Sequence, residues 1–312
     1  MSTSQQIKQR LTWTSVRLWS RKHEQTLSGY TFLLPTILSV LIFIVIPVGF
    51  SFYISFFNFN FLSPATDFVG LHNYISLFTS DRFWTVLLNT SRYVIGVVPF
   101  GIAVSLGLAL LINRKLPGIN FFRSAYFSPV ITSSIAVALI WKWVFDPSWG
   151  ILNFLLDKVG ITGITWLGDP NLAIWCLAIM SVWSGAGYNM ILFLAGLQGI
   201  SKEYYDAAIV DGAGRLQLFR YITWPLLSPT TFFVFVVGII GSLQVFDIVL
   251  LVTNATGGPG GSTRTIVFYM WEQGFKYYNM GFASAMAYVL FFFIFVLTLI
   301  NWRFTGRLVH YQ

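Results

Sequence analysis

Residues 201–246 read SKEYYDAAIVDGAGRLQLFRYITWPLLSPTTFFVFVVGIIGSLQVF and combine two kinds of segment that recur along the chain. All charged side chains of this stretch lie in 201–220, whereas 221–246 has none. A helix of about 20 apolar residues crosses the roughly 30 Å hydrocarbon core of a bilayer. The stretch therefore predicts a charged connector followed by a transmembrane helix.

The same alternation runs through all 312 residues, of which 56% are hydrophobic and only 10% charged. Soluble domains carry about 25% charged residues, so this composition excludes a soluble globule. Uncharged stretches long enough for one membrane-crossing helix each are 30–52, 93–113, 124–141, 171–201, 221–246 and 277–302. The predicted fold class is an all-α integral membrane protein with six transmembrane helices.

The distribution of basic residues predicts that both termini are cytoplasmic. Of the 19 Lys and Arg residues, 13 lie in 1–29, 114–123, 202–220 and the C-terminal tail. Cytoplasmic segments of multi-pass proteins are enriched in Lys and Arg. We therefore expect a cytoplasmic N-terminal tail over 1–29 and a first transmembrane helix over 30–52. The net charge of +8 includes no basic run that could follow a phosphate backbone, so nucleic acid is not expected as a partner.

The charged connector has the pattern of two short helices joined by a turn. Ser201 can cap the first helix, and Glu203 favours its positive end. Ala207 and Ala208 leave a low surface that a partner can approach closely, and Gly212 permits the positive φ of a sharp turn. The connector therefore predicts a small, shaped knob on the cytoplasmic side.

This connector resembles the cytoplasmic loop of the inner-membrane permease subunits of binding-protein-dependent ABC importers. That loop has the form E-A-A, three residues, G, nine residues, I, one residue, L-P. The matching positions within 201–225 are Asp206, Ala207, Ala208, Gly212, Ile222 and Pro225. Asp206 replaces Glu, with a shorter reach for its carboxylate, and Trp224 replaces Leu. The likeness covers about residues 30–304 and is closest to the sugar-type, MalF/UgpA-like permeases.

The resemblance implies the transmembrane domain of a type I ABC importer over 84–304, acting as one subunit of a larger machine. A second homologous permease subunit would complete the pathway, and an external solute-binding protein would deliver a sugar, polyol or glycoside. Two ATPase subunits, which use ATP and Mg, would dock on the coupling loop 201–225. The residues that the resemblance assigns to ATPase coupling are Glu203, Asp206, Ala207, Ala208, Gly212, Ile222 and Pro225. The implied location is a prokaryotic plasma membrane.

The chain itself is not predicted to be an enzyme. It contains no GxxxxGK[ST] phosphate loop, so ATP hydrolysis is expected in the partner subunits and no cofactor is expected in this chain. No catalytic residues are predicted. His23, His72 and His310 lie in segments predicted to be far apart, so no metal site is predicted either.

Polar side chains in the fourth and fifth uncharged stretches are candidates for a solute path through the membrane. They lie near the middle of 171–201 and around the end of 221–246. The resemblance supports some of them, because maltose-type permeases contact sugar at the positions matching Gly185, Tyr188 and Ser242. Hydrogen bonds between helices are the alternative explanation of such residues. The predicted substrate residues are Gly185, Tyr188, Asn189, Ser242, Gln244 and Asp247.

Glycines within the uncharged stretches are predicted to let helices pack closely rather than to bind a ligand. The glycines in question are Gly101, Gly107, Gly238 and Gly241.

Three other functions remain open at the level of sequence. A glycerol-3-phosphate-type ABC permease would need a cation near the outer mouth, and Arg92 or Arg264 could serve there. An ion-coupled secondary transporter is disfavoured because Asp247 is the only carboxylate within an apolar stretch. An integral membrane enzyme is disfavoured because no cluster of His or carboxylate residues is evident.

Overall fold

A computed structural model describes residues 26, 28–63, 66–114, 118–161 and 163–305. The predicted tail 1–29 lies almost wholly outside the described residues. In chain order the helices and strands are α1 (Ser28–Ile54), β1 (Phe57–Asn58), β2 (Asp67–Phe68), α2 (His72–Thr79), α3 (Asp81–Ile112), α4 (Ile119–Ile131), α5 (Ser134–Val144), α6 (Ile151–Asp157), α7 (Ala173–Gly199), α8 (Lys202–Val210), α9 (Arg215–Leu226), α10 (Ser228–Leu243), α11 (Asp247–Val252), α12 (Ile266–Trp271) and α13 (Met280–Thr305). The two strands form one antiparallel hairpin.

Four helices, α1, α3, α7 and α13, are each long and apolar enough to cross a membrane. Two further candidates are bent pairs of helices: α4 with α5, at 100°, and α9 with α10, at 63°. If each bent pair is one span, the described part of the chain has six, as predicted. The all-α membrane fold is confirmed, but two of the six predicted helices are broken.

The prediction of one continuous helix over 124–141 is wrong, because α4 and α5 are separated by two extended residues. Thr132 and Ser133 have ψ angles of 135° and 137°. Pro129, near the end of α4, has no N–H to donate and weakens the last turn of that helix. The Thr132 hydroxyl donates to the Ser128 carbonyl at 2.9 Å and so satisfies one acceptor at the helix end.

The predicted helix over 221–246 is also wrong in its bounds. α9 starts within the connector, contains one π-helical turn over Phe219–Thr223 and ends at Leu226. The membrane-crossing helix α10 begins only at Ser228, with Pro229 in its first turn, where a missing N–H is tolerated. Because α10 ends at Leu243, the three residues before α11 are outside any helix.

The core of the protein is the pair α3 and α7, which run parallel to each other. Tyr93 and Ala178 share one buried cluster near the start of both helices, and Leu106 and Leu197 share another near their ends. The segment that precedes α3 therefore lies at one end of the bundle. The segment that follows α7, with α8 and α9, lies at the other end.

Glycines allow the close packing around α7, but they are not the predicted ones. A methyl group on Gly96 of α3 would lie 2.9 Å from Ala178, and one on Gly187 or Gly196 of α7 would collide with Tyr126 or Thr230. Of the predicted set, only Gly238 has a neighbour within 4 Å, Val98 at 3.6 Å; Gly101, Gly107 and Gly241 have none among the described residues. The prediction of close packing was therefore right for Gly238 and wrong for the other three.

Candidate functional site

The connector between α7 and α10 forms the two short helices that the sequence predicts. The hydroxyl of Ser201 accepts the N–H of Glu203 at 3.3 Å and caps the start of α8. Beyond the end of α8, the N–H of Gly212 donates to the Ile209 carbonyl at 3.0 Å, and the next N–H donates to the Ala208 carbonyl at 2.9 Å. This pair of bonds is a Schellman motif, which needs the positive φ of 83° that Gly212 adopts. The predicted helix, turn and helix are confirmed.

The residues predicted for ATPase coupling are spread over the surface of α8 and α9. Glu203, Asp206, Ala207 and Gly212 are exposed; Ala208, Ile222 and Pro225 are half-buried. Large apolar side chains stand exposed beside them, among them Tyr204, Ile209, Val210, Leu216 and Tyr221. An exposed apolar patch bordered by charged groups is typical of a protein-binding surface. The role of these residues in coupling remains a prediction.

A hydrogen bond joins α8 to α9. The Tyr205 hydroxyl lies 3.0 Å from the hydroxyl of Thr223, which is buried in the π-helical turn of α9. The next helix starts after Leu227, a fully buried residue that packs with Phe193 of α7 in one core cluster. The hydrogen bond and the buried bend thus connect α8 to the membrane-crossing helix α10.

A cleft of about 470 Å³, the central cleft, lies where two helix breaks, one between α4 and α5 and one between α10 and α11, face the middle of α7. Its walls come from the α4–α5 break, from α7 and from the α10–α11 break. The lining residues are Pro129, Val130, Thr132, Ser134, Val137, Ser181, Ser184, Gly185, Tyr188, Gln244, Val245, Phe246, Asp247 and Ile248. Irregular backbone at membrane depth occurs where it lines a cavity. Both breaks thus help to form this cleft.

The structure brings four of the six predicted substrate residues together. Those that line the central cleft are Gly185, Tyr188, Gln244 and Asp247. Ser242, in the last turn of α10, does not line it and is only 5% exposed. Asn189 also lies outside the lining. The binding role of all six remains a prediction.

The central cleft offers free hydrogen-bonding groups. The hydroxyl of Ser184 is buried and has no partner among the described residues. Tyr188 is 49% exposed, and Gln244 and Asp247 are exposed as well. Ser181 is already engaged, since its hydroxyl accepts from Tyr93 at 2.6 Å. A phenol, a hydroxyl and an amide, with one carboxylate and no cation in the lining, suit a solute rich in hydroxyl groups.

Several lining residues were missed from sequence: Thr132, Ser134 and Ser181. A signal for the first two was present. Pro129, followed by the polar run 132–134 inside an apolar stretch, is the pattern of a broken helix. No signal singled out Ser181, because one hydroxyl on an otherwise apolar helix face is common in membrane proteins.

Arg264, considered for an anionic solute, is committed to a buried ion pair. Its Nε donates to Glu272 at 2.9 Å, and Glu272 is only 2% exposed. Lys276 approaches the same carboxylate at 3.7 Å. Gly257 lies directly against the side chain of Arg264, in a space that a Cβ would fill. The charge of Arg264 is therefore neutralised within the chain and is not free for an anion.

Comparisons with known proteins agree on one family. Residues 98–308 match the family described as binding-protein-dependent transport system inner membrane component. The probable ABC transporter permease protein YesP of Bacillus subtilis (strain 168) is 37% identical to this chain, over 93% of this chain and 94% of that protein. The trehalose/maltose transport system permease protein MalF of Thermococcus litoralis is 33% identical, over 89% and 94%. A solved structure of a bacterial alginate ABC transporter, in complex with alginate pentasaccharide-bound periplasmic protein, matches with a TM-score of 0.77 at 25% identity, over 91% of this chain and 96% of that chain.

Proposed function

Because the chain belongs to the family of binding-protein-dependent transport system inner membrane components, we propose that it is the permease subunit of an ATP-driven importer for a sugar, polyol or glycoside. The observation that carries the proposal is the central cleft, where the α4–α5 break, the α10–α11 break and α7 surround free polar groups. The names of the relatives support this solute class, since one is a trehalose/maltose permease and one an alginate transporter.

The chemistry of the cleft favours a neutral solute. Asp247 is the one acidic or basic residue among those that line it. Ser184, Tyr188 and Gln244 supply hydroxyl and amide groups, which bond to hydroxyl groups as donor or acceptor. Binding sites for small molecules combine a few placed polar groups with apolar walls, here Val130, the edge of α5 and the residues around Phe246.

The energy for transport comes from partners in this proposal. Two ATPase subunits, which use ATP and Mg, dock on the exposed patch of α8 and α9. A second homologous permease completes the pathway, and an external solute-binding protein delivers the solute at the opposite end of the bundle. The surface of α1 is apolar and exposed along nearly all its length. In this arrangement it contacts the bilayer or the second permease. Both termini are cytoplasmic in this arrangement, and the membrane is a prokaryotic plasma membrane.

The geometry suggests how ATPase closure would move the cleft. α10 has 16 residues, so it is about 24 Å long. Its first residue follows the buried bend at Leu227, and its end leads into Gln244 of the central cleft. A displacement of α8 and α9 would tilt α10 about Leu227 and shift one wall of the cleft, which is a hinge-type transition.

Co-purification and transport assays test the proposal. The chain is expected to purify with a second permease and two ATPase subunits. In proteoliposomes, the complex should take up trehalose, maltotriose or arabinotriose only under two conditions. ATP must be present on the side of the membrane that α8 and α9 face, and the binding protein must be present on the other side. Uptake by the chain alone, driven by a proton or sodium gradient without ATP, would show that it is a secondary transporter instead.

A further inference from the structure

A second polar cleft lies at the end of the bundle opposite α8 and α9. This outer cleft has a volume of about 460 Å³. The β1–β2 hairpin, α2, α12 with the π-helical turn that follows it, and the start of α13 surround it. The lining residues are Asn58, Phe59, Val69, His72, Asn73, Ser76, Tyr269, Gln273, Asn279 and Phe282. None of them takes part in the proposed transport path or in ATPase coupling.

The floor of the outer cleft carries a buried amide with an unused acceptor. Asn73 is only 8% exposed. Its Nδ2 donates to the Ser55 carbonyl at 2.8 Å and to the Phe57 carbonyl at 3.0 Å. Both amide hydrogens are thereby used, which leaves the side-chain oxygen as an acceptor without a donor among the described residues.

The second floor residue is a buried tyrosine with an unpaired hydroxyl. Tyr269 is 5% exposed, and its hydroxyl makes no hydrogen bond to any described residue. The ring contacts the guanidinium group of Arg82, 6.0 Å from its centroid. Burial raises the pKa of Tyr269, an effect that the charge of Arg82 only partly offsets. The phenol therefore stays protonated and can donate a hydrogen bond.

The walls of the outer cleft add further amide groups and are held rigidly. The Asn279 oxygen accepts from Asn60 at 3.3 Å, so its Nδ2 remains a donor. Gln273 is half-buried in the opposite wall. The hairpin is fixed to the start of α13, since the N–H of Gly281 donates to the Phe59 carbonyl at 3.1 Å. A Cβ at position 281 would collide with the hairpin backbone, so this contact requires glycine.

The lining has no acidic or basic side chain other than the imidazole of His72. Apart from that imidazole, whose Nε2 lies 3.3 Å from the Ser76 hydroxyl, the lining offers no charged partner for an anion or a cation. Amide groups that can donate and accept, beside the apolar faces of Phe59, Tyr269 and Phe282, suit a neutral molecule with many hydroxyl groups. A volume of about 460 Å³ is within the usual range for a small-molecule site.

We propose that the outer cleft is a second binding site for a neutral polyhydroxy solute, with the free acceptor of Asn73 and the free hydroxyl of Tyr269 at its floor. The inference rests on the proposed function for the class of solute. It places one solute-binding site on the outer surface, separate from the central cleft.

Protection of an introduced cysteine tests this site. Cys176, the single native cysteine, is 2% exposed, so a cysteine placed in the cleft would be the reactive thiol. The Ser76→Cys variant, in the assembled transporter without binding protein, is labelled with a charged, membrane-impermeant thiol reagent in the presence of trehalose, maltotriose or arabinotriose. At least one of these sugars should slow labelling about tenfold at about ten times its Kd. Thr79→Cys, on the exposed surface of the same helix outside the cleft, is the control and should be unaffected.

A second variant separates sugar binding from indirect effects. Gln273→Leu removes an amide from the wall while keeping a similar volume. It should abolish the protection by sugar at position 76 without changing the labelling rate measured in the absence of sugar. No protection by any of the sugars overturns the proposal, as does protection by the binding protein alone, which would identify the cleft as a protein contact.

The same proteoliposomes distinguish this proposal from the proposed function. If ATP-driven uptake of a sugar persists in Ser76→Cys but that sugar gives no protection, only the outer site is wrong. If no ATP-driven uptake occurs in the native sequence, the proposed function itself is wrong.

Discussion

Gly196 of α7 packs directly against Leu227, the fully buried residue at the bend between α9 and α10. A methyl group at Gly196 would lie 2.9 Å from Leu227 Cδ1 and would also collide with Thr230. The absence of a side chain at position 196 thus allows the bend to pack against the core of the protein. Since this bend connects the proposed ATPase-docking helices to the wall of the central cleft, its packing bears on coupling as well as on stability.

Gly196→Val is expected to impair coupling. The added atoms must displace the bend, which costs about 1–3 kcal/mol of stability for an overpacked site. Solute uptake per ATP hydrolysed should fall severalfold, measured as the ratio of the two rates in proteoliposomes. Gly199→Ala is the control, because no atom of the described residues lies within 4 Å of a Cβ there. An unchanged ratio in Gly196→Val would contradict a role for the bend.

Gly212→Val is expected to weaken attachment of the ATPase subunits. The φ of 83° is unfavourable for a β-branched residue, at a cost of about 1–2 kcal/mol. The variant should lose the Schellman turn and thus the relative orientation of α8 and α9. Co-purification of the ATPase subunits and solute-stimulated ATP hydrolysis both measure this. Gly214→Ala, at a φ of −77°, should behave like the native sequence; equal losses in both variants would argue against a specific role of the turn.

Ser184→Ala is expected to raise stability and lower transport. The buried hydroxyl has no partner among the described residues, and such a group costs about 1–3 kcal/mol. Its removal should increase the Tm of the purified complex. Uptake should fall because the solute loses a bonding group in the central cleft. A lower Tm would show that the hydroxyl has a partner in the complex, and unchanged uptake would show that it does not touch the solute.

Glu272→Gln is expected to destabilise the protein strongly. It leaves Arg264 without its buried partner, and breaking such a pair costs about 3–5 kcal/mol. The double variant Arg264→Met with Glu272→Leu should be less destabilised than Glu272→Gln alone, since the one cation that it leaves without a partner, Lys276, is 43% exposed and solvated. Thermal unfolding of the complex in detergent measures both. If the double variant were less stable than Glu272→Gln, the ion pair would stabilise the fold by more than the mutual neutralisation of its two charges.

Local signals in the sequence predicted much of the fold and of the connector. Six uncharged runs indicated six spans, and Ser201 and Gly212 marked the start and end of α8 because capping and positive φ depend on a few adjacent residues. The bends were harder to predict from the sequence. Pro129 and Pro225 were visible in the sequence, yet an angle of 100° or 63° depends on what the next helix packs against.

Long-range contacts could not be predicted from one sequence. Ser242 was predicted to face the solute path, but whether α10 turns it inward depends on the packing of α10. Among the described residues, Gly187 and Gly196 pack closely against another helix, whereas nothing lies within 4 Å of a Cβ at Gly101 or Gly107. Arg264 and Glu272 flank the two ends of α12, and their pairing likewise depends on how the glycine-rich loop before Arg264 folds.

The central claim is that the cleft formed by α7 and the two helix breaks carries the solute. The most direct measurement is ATP-dependent sugar uptake by the reconstituted complex with Tyr188→Ala, compared with Ile191→Ala, an exposed position on the same helix outside the cleft. The account predicts that uptake falls at least about tenfold, equivalent to about 1.4 kcal/mol, in Tyr188→Ala and stays near native in Ile191→Ala. Equal uptake by both variants and the native sequence would contradict it.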